Sequence, residues 1–95
     1  MSRVGIIGLG LVGSALAERL LAAGYEIAGY DVQPALNDAL SKLGGEPLAS
    51  GTEVARSCDT ILLSLPTSDI AAQVIEELTP HLADKTILDT TTGQP

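Results

Sequence analysis

The 95-residue chain carries 12 acidic and 5 basic side chains, a net charge of −7, with 45% hydrophobic residues and Tyr25 and Tyr30 as its only aromatics. That length supports one small domain with an aliphatic core that buries about 60–65% of the unfolded surface, and the hydrophobic share excludes a disordered tail. The acidic balance, the dispersed cations Arg3, Arg19, Lys42, Arg56 and Lys85, and the lack of stacking rings exclude nucleic acid as a partner.

Residues 4–7 read as a short buried strand. The uncharged run they begin imitates a secretion signal, but glycines at 5, 8, 10 and 13 interrupt it. It also falls short of the roughly 18–20 apolar residues that cross a bilayer, so no membrane contact and a cytoplasmic setting are expected. Over residues 11–23, Val12, Leu16, Leu20 and Ala23 recur at helical spacing, with Glu18 and Arg19 on the opposite face. Gly24 closes that helix in the left-handed conformation. A second strand covers residues 26–31.

Pro34 opens a helix whose apolar face is Leu36, Ala39, Leu40 and Leu43, and Gly44-Gly45 ends it. Residues 46–49 form a weak third strand. Ser50-Gly51-Thr52-Glu53 has capping-box spacing and starts a short helix that runs to residue 57. Cys58 is expected as a small apolar filler; alone it makes neither an internal disulfide nor an all-cysteine metal site. Residues 60–65 are apolar with little alternation, a buried strand that Pro66 stops. Thr67 or Ser68 caps a helix with Ile70, Val74, Leu78 and Leu82 on one stripe, and His81 near its end is read as structural. Residues 86–89 form the last strand. Lys42 and Lys85 are read as solvated surface charges.

This alternation predicts parallel strands, right-handed crossovers and a helical layer on each face. The fold class is α/β: a Rossmann-type three-layer αβα arrangement with a sheet of five strands in the order 3-2-1-4-5. Gly8-Leu9-Gly10-Leu11-Val12-Gly13 is a G-x-G-x-x-G that follows a strand directly and opens a helix. In such a turn Gly8 permits the tight exit from the strand. Gly10 lets a pyrophosphate approach the backbone, and Gly13 lets the helix lie close to the sheet. The N–H groups of Leu11 and Val12, at the positive end of the helix, then face the anion.

Asp31 ends the second strand, 18 positions beyond Gly13, where a carboxylate accepts hydrogen bonds from the adenosine ribose hydroxyls. A 2′-phosphate would meet that carboxylate, and Val32, Gln33 and Pro34 supply no cation to hold it. NAD is therefore favoured over NADP as the cofactor.

Four segments occur in order along the chain: Ile7 to Gly13, Tyr30-Asp31-Val32, Leu65-Pro66-Thr67-Ser68, and Leu88-Asp89-Thr90-Thr91-Thr92 with Pro95. In them the chain resembles the N-terminal cofactor domain of the β-hydroxyacid dehydrogenases, nearest the 3-hydroxyisobutyrate dehydrogenase group. The resemblance implies that Leu65, Pro66 and Thr67 follow the fourth strand and meet the cofactor near the nicotinamide ribose. Thr92 matches the Thr of the family's Asp-Ser-Ser-Thr segment at the nicotinamide end. Here that segment reads Asp-Thr-Thr-Thr, and Asp69-Ile70 stand where family members often present Asn.

The resemblance further implies a parent oxidoreductase that transfers hydride between a small 3-hydroxy acid and NAD. Residues 1–95 would be the N-terminal part of its dinucleotide-binding domain, truncated before the domain's second half. The family's glycine-rich substrate loop and helical catalytic domain have no counterpart here, and Lys42 and Lys85 match no catalytic lysine motif. The chain alone is thus expected to bind NAD without turning over, with no catalytic residue and no metal of its own. The hydroxy acid would be engaged only by the full-length parent. The alternative is a non-catalytic, self-assembling Rossmann half-domain, natural or engineered, that forms a homodimer through the sheet edge left open after the last strand.

Overall fold

The computed structural model describes residues 3–90. In chain order they form β1 (Arg3–Ile7), α1 (Leu11–Ala22), β2 (Glu26–Tyr30), α2 (Pro34–Leu43), β3 (Glu46–Pro47), α3 (Gly51–Ser57), β4 (Thr60–Leu63), α4 (Ser68–Leu78), a 3₁₀ turn (Thr79–His81) and β5 (Thr86–Asp89). The strands make one parallel sheet in the order 3-2-1-4-5, as expected. Central β1 sets Val4 opposite Ile27 and Thr60, and Ile7 opposite Tyr30 and Leu63.

The helix boundaries follow local chemistry. Ser50 Oγ accepts from the Glu53 N–H and Thr67 Oγ1 from the Ile70 N–H, each at 3.2 Å, so α3 and α4 both start on a hydroxyl cap. Pro34 sits in the first turn of α2, and Gly44, at φ 105°, ends that helix in the left-handed region.

Two apolar clusters lie on opposite faces of the sheet. Val4, Ile6, Ile27 and Leu62 pack with Ala17 of α1 and Leu40 of α2. Ile7, Ala28, Ile61 and Leu63 pack with Val54 and Ala55 of α3, Cys58 and Leu78 of α4. Cys58 is fully buried, the filler its composition suggested. No helix among the described residues is long and apolar enough to cross a membrane.

Several expectations need correction. In α1 the buried positions are Gly13 and Ala17, while Val12 and Ala23 are exposed. The helix presses its smallest residues on the sheet, and its larger apolar side chains flank that line. In α4 and the turn after it, Val74, Leu78 and Leu82 pack on the core as expected, joined by Ala71 and Ile75, whereas Ile70 is exposed and lines a cleft beyond the ends of β1 and β4. β3 has two residues and β4 ends at Leu63, both shorter than their apolar runs. Lys85 is not a solvated charge. Its side chain is 16% exposed, and its ammonium donates to the Cys58 carbonyl at 2.7 Å with Asp59 at 3.9 Å. That contact fastens the start of β5 to the loop entering β4.

Candidate functional site

The strand order reverses at β1, whose neighbours β2 and β4 are reached by crossovers on opposite faces. A crevice beyond the carboxyl ends of β1 and β4 is where such sheets bind ligands. This molecule has there a cleft of about 400 Å³, within the roughly 300–1,000 Å³ range of small-molecule sites. Ile7, Gly8, Gly10, Leu11 and Val12 form its floor; Tyr30, Asp31, Val32, Gln33 and Leu36 form one wall. Ser64, Leu65, Pro66, Ile70, Val74 and Thr90 form the other.

The turn between β1 and α1 has three glycines with three different surroundings. Gly8 has φ 97°, and a Cβ there would overlap the Ser64 carbonyl; its N–H donates to the Tyr30 carbonyl at 2.9 Å. A Cβ at Gly13 would overlap the Gly8 carbonyl oxygen. At Gly10 a Cβ would meet no atom of the chain within 4 Å, and φ is −69°. Folding therefore demands the first and third glycines, while the space at the second is left for something outside the chain. Gly10 is also the N-cap of α1 and offers no side-chain acceptor, so the first-turn amides keep their donors for a ligand.

Leu9, between the first two glycines, is 1% exposed, and both its peptide groups are held. Its N–H donates to Asp31 Oδ2 at 2.8 Å, and its carbonyl accepts from the Ser14 hydroxyl at 2.8 Å. Asp31 Oδ1 accepts from the Gln33 N–H at 2.9 Å. Each carboxylate oxygen has two lone pairs, so both retain one for a further donor.

Of the residues expected at the site, Gly8, Gly10, Leu11, Val12, Asp31, Leu65 and Pro66 line this cleft. Leu9 and Gly13 lie beneath it and shape the turn. The Thr67 hydroxyl caps α4 and is not among the lining groups. Thr92 lies outside the described residues. Sequence reasoning missed Ser14, Asn37 and Thr90. Thr90 donates both its N–H and its hydroxyl to the Leu63 carbonyl, each at 2.7 Å. Asn37 has the one legible signal: Asn is a poor interior helix residue unless its amide binds nearby backbone.

A doubly wound parallel sheet, with a glycine turn opening its first helix at the switch point and an acidic residue after the second strand, defines a dinucleotide-binding domain. The chain belongs to the family of the NAD binding domain of 6-phosphogluconate dehydrogenase, matched over residues 3–95.

Among curated relatives, L-threonate dehydrogenase of Cupriavidus necator is 40% identical over 65% of this chain and 21% of its own length. Mitochondrial 3-hydroxyisobutyrate dehydrogenase of Mus musculus is 38% identical over 75% of the chain and 21% of its own. The NAD(+)-dependent decarboxylating 6-phosphogluconate dehydrogenase of Haloferax volcanii is 33% identical over 92% of the chain and 30% of its own. The chain thus spans between a fifth and a third of these relatives. An imine reductase variant of Myxococcus stipitatus in complex with NAD+ superposes with a TM-score of 0.92 at 27% identity, over 100% of this chain and 33% of that one. The imine reductase of the same organism in complex with NADP+ gives 0.91 at 27%, over 98% and 33%. One fold serves both nucleotides, so the choice between them lies in individual residues.

Proposed function

We propose that this chain is the NAD-selective nucleotide-binding portion of a cytoplasmic oxidoreductase acting on a small 3-hydroxy acid. Gly10, Leu11 and Val12 bind the pyrophosphate through backbone donors, on a turn that Gly8, Leu9 and Gly13 shape. Asp31 accepts from the adenosine ribose hydroxyls. Leu65, Pro66 and Thr92 serve the nicotinamide end, and Thr67 acts there through the start of α4 that its hydroxyl caps. Bound NAD supplies the hydride acceptor; these residues bind and orient it. Residues 1–95 contribute no catalytic side chain and no metal ligand to this reading, and the hydroxy acid is met by the full-length parent.

The observation that carries the nucleotide choice is the Asp31 carboxylate. It lines the cleft and is tied to the glycine turn through the Leu9 N–H at 2.8 Å. A 2′-phosphate there would face a negative charge, with no cation among Val32, Gln33 and Pro34 to offset it. Titrating the chain with NADH and with NADPH, followed by nicotinamide fluorescence and calorimetry, tests this directly. Saturable NADH binding with NADPH at least about tenfold weaker, a difference of about 1.4 kcal/mol, is the expected result. Equal affinities would remove the selectivity, and binding of neither would remove the nucleotide site.

The second reading, a self-assembling module, is favoured by one feature. Among the described residues β5 is an edge strand, and it carries Leu88 at 50% exposure. Pairing of two β5 strands about a two-fold axis would cover that side chain and is compatible with two nucleotide sites per dimer.

A further inference from the structure

Asn37 lies in the second turn of α2, outside the cleft, and its side-chain amide is committed to one backbone unit. Its Oδ1 accepts from the Asp31 N–H at 2.9 Å, and its Nδ2 donates to the Asp31 carbonyl at 2.8 Å. β2 has already ended at Tyr30, so no strand ladder supports Asp31 at this point. One planar side chain does that work from a neighbouring helix. The Asp31 carboxylate, fixed in this way, holds the Leu9 N–H, and the Leu9 carbonyl holds the Ser14 hydroxyl. A continuous set of hydrogen bonds therefore runs from α2 through the end of β2 to the glycine turn and α1.

With Asp31 as the ribose acceptor proposed above, we infer that Asn37 is a positioning residue for nucleotide selectivity. It touches no ligand. It fixes the main chain of Asp31 so that the carboxylate meets both the Leu9 amide and the ribose. Without it, Asp31 is held only through its own carboxylate, by the Leu9 and Gln33 N–H groups. Its main chain is then free to turn, the ribose loses a fixed acceptor, and the preference for NADH over NADPH declines.

Fluorescence titration with NADH and NADPH of the full chain, Asn37→Ala, Asp31→Ala and the double variant tests this. Asn37→Ala is expected to weaken NADH about tenfold, the loss that follows when the conformer holding Asp31 in place falls to about a tenth of the population, and to leave NADPH within about twofold. In the Asp31→Ala background, Asn37→Ala is expected to add no further loss, because the two residues act as one unit. Asn37→Asp keeps the Oδ1 acceptor and loses the donor, so its selectivity should fall between wild type and Asn37→Ala. Alanine is a better helix former than asparagine, and thermal melts establish that each variant is folded. Should Asn37→Ala melt below the assay temperature, Asn37→Asp carries the comparison.

A merely structural role would weaken both nucleotides in the same proportion. That result, or unchanged affinities, overturns the assignment. If Asp31→Ala abolishes selectivity while Asn37→Ala and Asn37→Asp leave it intact, only the role of Asn37 is lost. If Asp31→Ala leaves selectivity intact, the reading of Asp31 fails, and that of Asn37 with it.

Discussion

At the scale of single residues, the glycines of the turn separate what the fold needs from what a ligand needs. A Cβ at Gly13 would collide with the Gly8 carbonyl, so Gly13→Ala must push α1 away from the sheet. Overpacking of this kind costs about 1–3 kcal/mol, which for a domain of this size lowers the melting temperature by roughly 4–8 °C per kcal/mol. Gly10→Ala meets open space at a negative φ, so it should cost only the exchange of glycine for alanine at an N-cap, less than about 1 kcal/mol and less than Gly13→Ala. Its NADH affinity should nonetheless fall, by at least about tenfold, because the new methyl group occupies the approach of the pyrophosphate. Denaturation curves and NADH titrations on the same two variants check both halves. A Gly10→Ala protein that binds NADH normally would leave Gly10 without its proposed task.

The glycine spacing and Asp31 were legible in the sequence because each has its reason within a few residues of chain. Ser14 was not, and Asn37 was legible only as an asparagine inside a helix and not in its role, because their partners Leu9 and Asp31 are defined only after the turn and the strand end are in place.

At the scale of elements, the signals that proved readable were local ones. Ser50, Thr67, Pro34 and Gly44 each set a helix end through a hydrogen bond or a backbone preference that needs no tertiary context. Ser50→Ala is expected to cost about 1 kcal/mol, read as a lower urea midpoint with an unchanged slope. The loss matters because the seven-residue α3 brings Val54 and Ala55 into full burial against β1.

The inward face of α1 was only half readable by hydrophobicity. Apolar spacing selected Val12, Leu16, Leu20 and Ala23; Leu16 and Leu20 pack against the sheet-facing cluster, but Val12 and Ala23 are exposed and the buried positions are Gly13 and Ala17. A close helix–sheet approach selects for small volume, which periodicity of large apolar residues does not report. Ala17 is fully buried, so Ala17→Leu should destabilise the chain by about 1–3 kcal/mol even though leucine is more hydrophobic. A stabilised Ala17→Leu protein would mean that the helix has room to move. Strand ends were blurred for a related reason: apolar residues continue past β4 into the cleft wall at Leu65 and Pro66, where they line a site rather than extend a ladder.

At the scale of the whole molecule, the two edges of the sheet that the described residues form differ. β3 has two residues and ends on Pro47, which has no N–H to donate, so this edge offers little to a second strand. β5 has four residues, and Leu88 lies half-exposed beside Leu62 of β4. The proposed self-association must then use β5.

Two copies that each carry −7 repel one another. Screening shortens that repulsion from a Debye length of about 30 Å at 0.01 M salt to about 8 Å at 0.15 M. Added salt is therefore expected to strengthen the dimer, the opposite of an interface held by ion pairs. Leu88→Lys discriminates further. It makes each chain less negative, which favours association if charge alone decides, but it removes the apolar contact and places a cation against its own symmetry mate. Sedimentation velocity across concentration and salt should therefore find wild type increasingly dimeric, and Leu88→Lys monomeric throughout, with equal NADH affinity in both. A wild-type chain that stays monomeric under every condition would withdraw the self-assembly reading and leave the nucleotide cleft as the only proposed function of these residues.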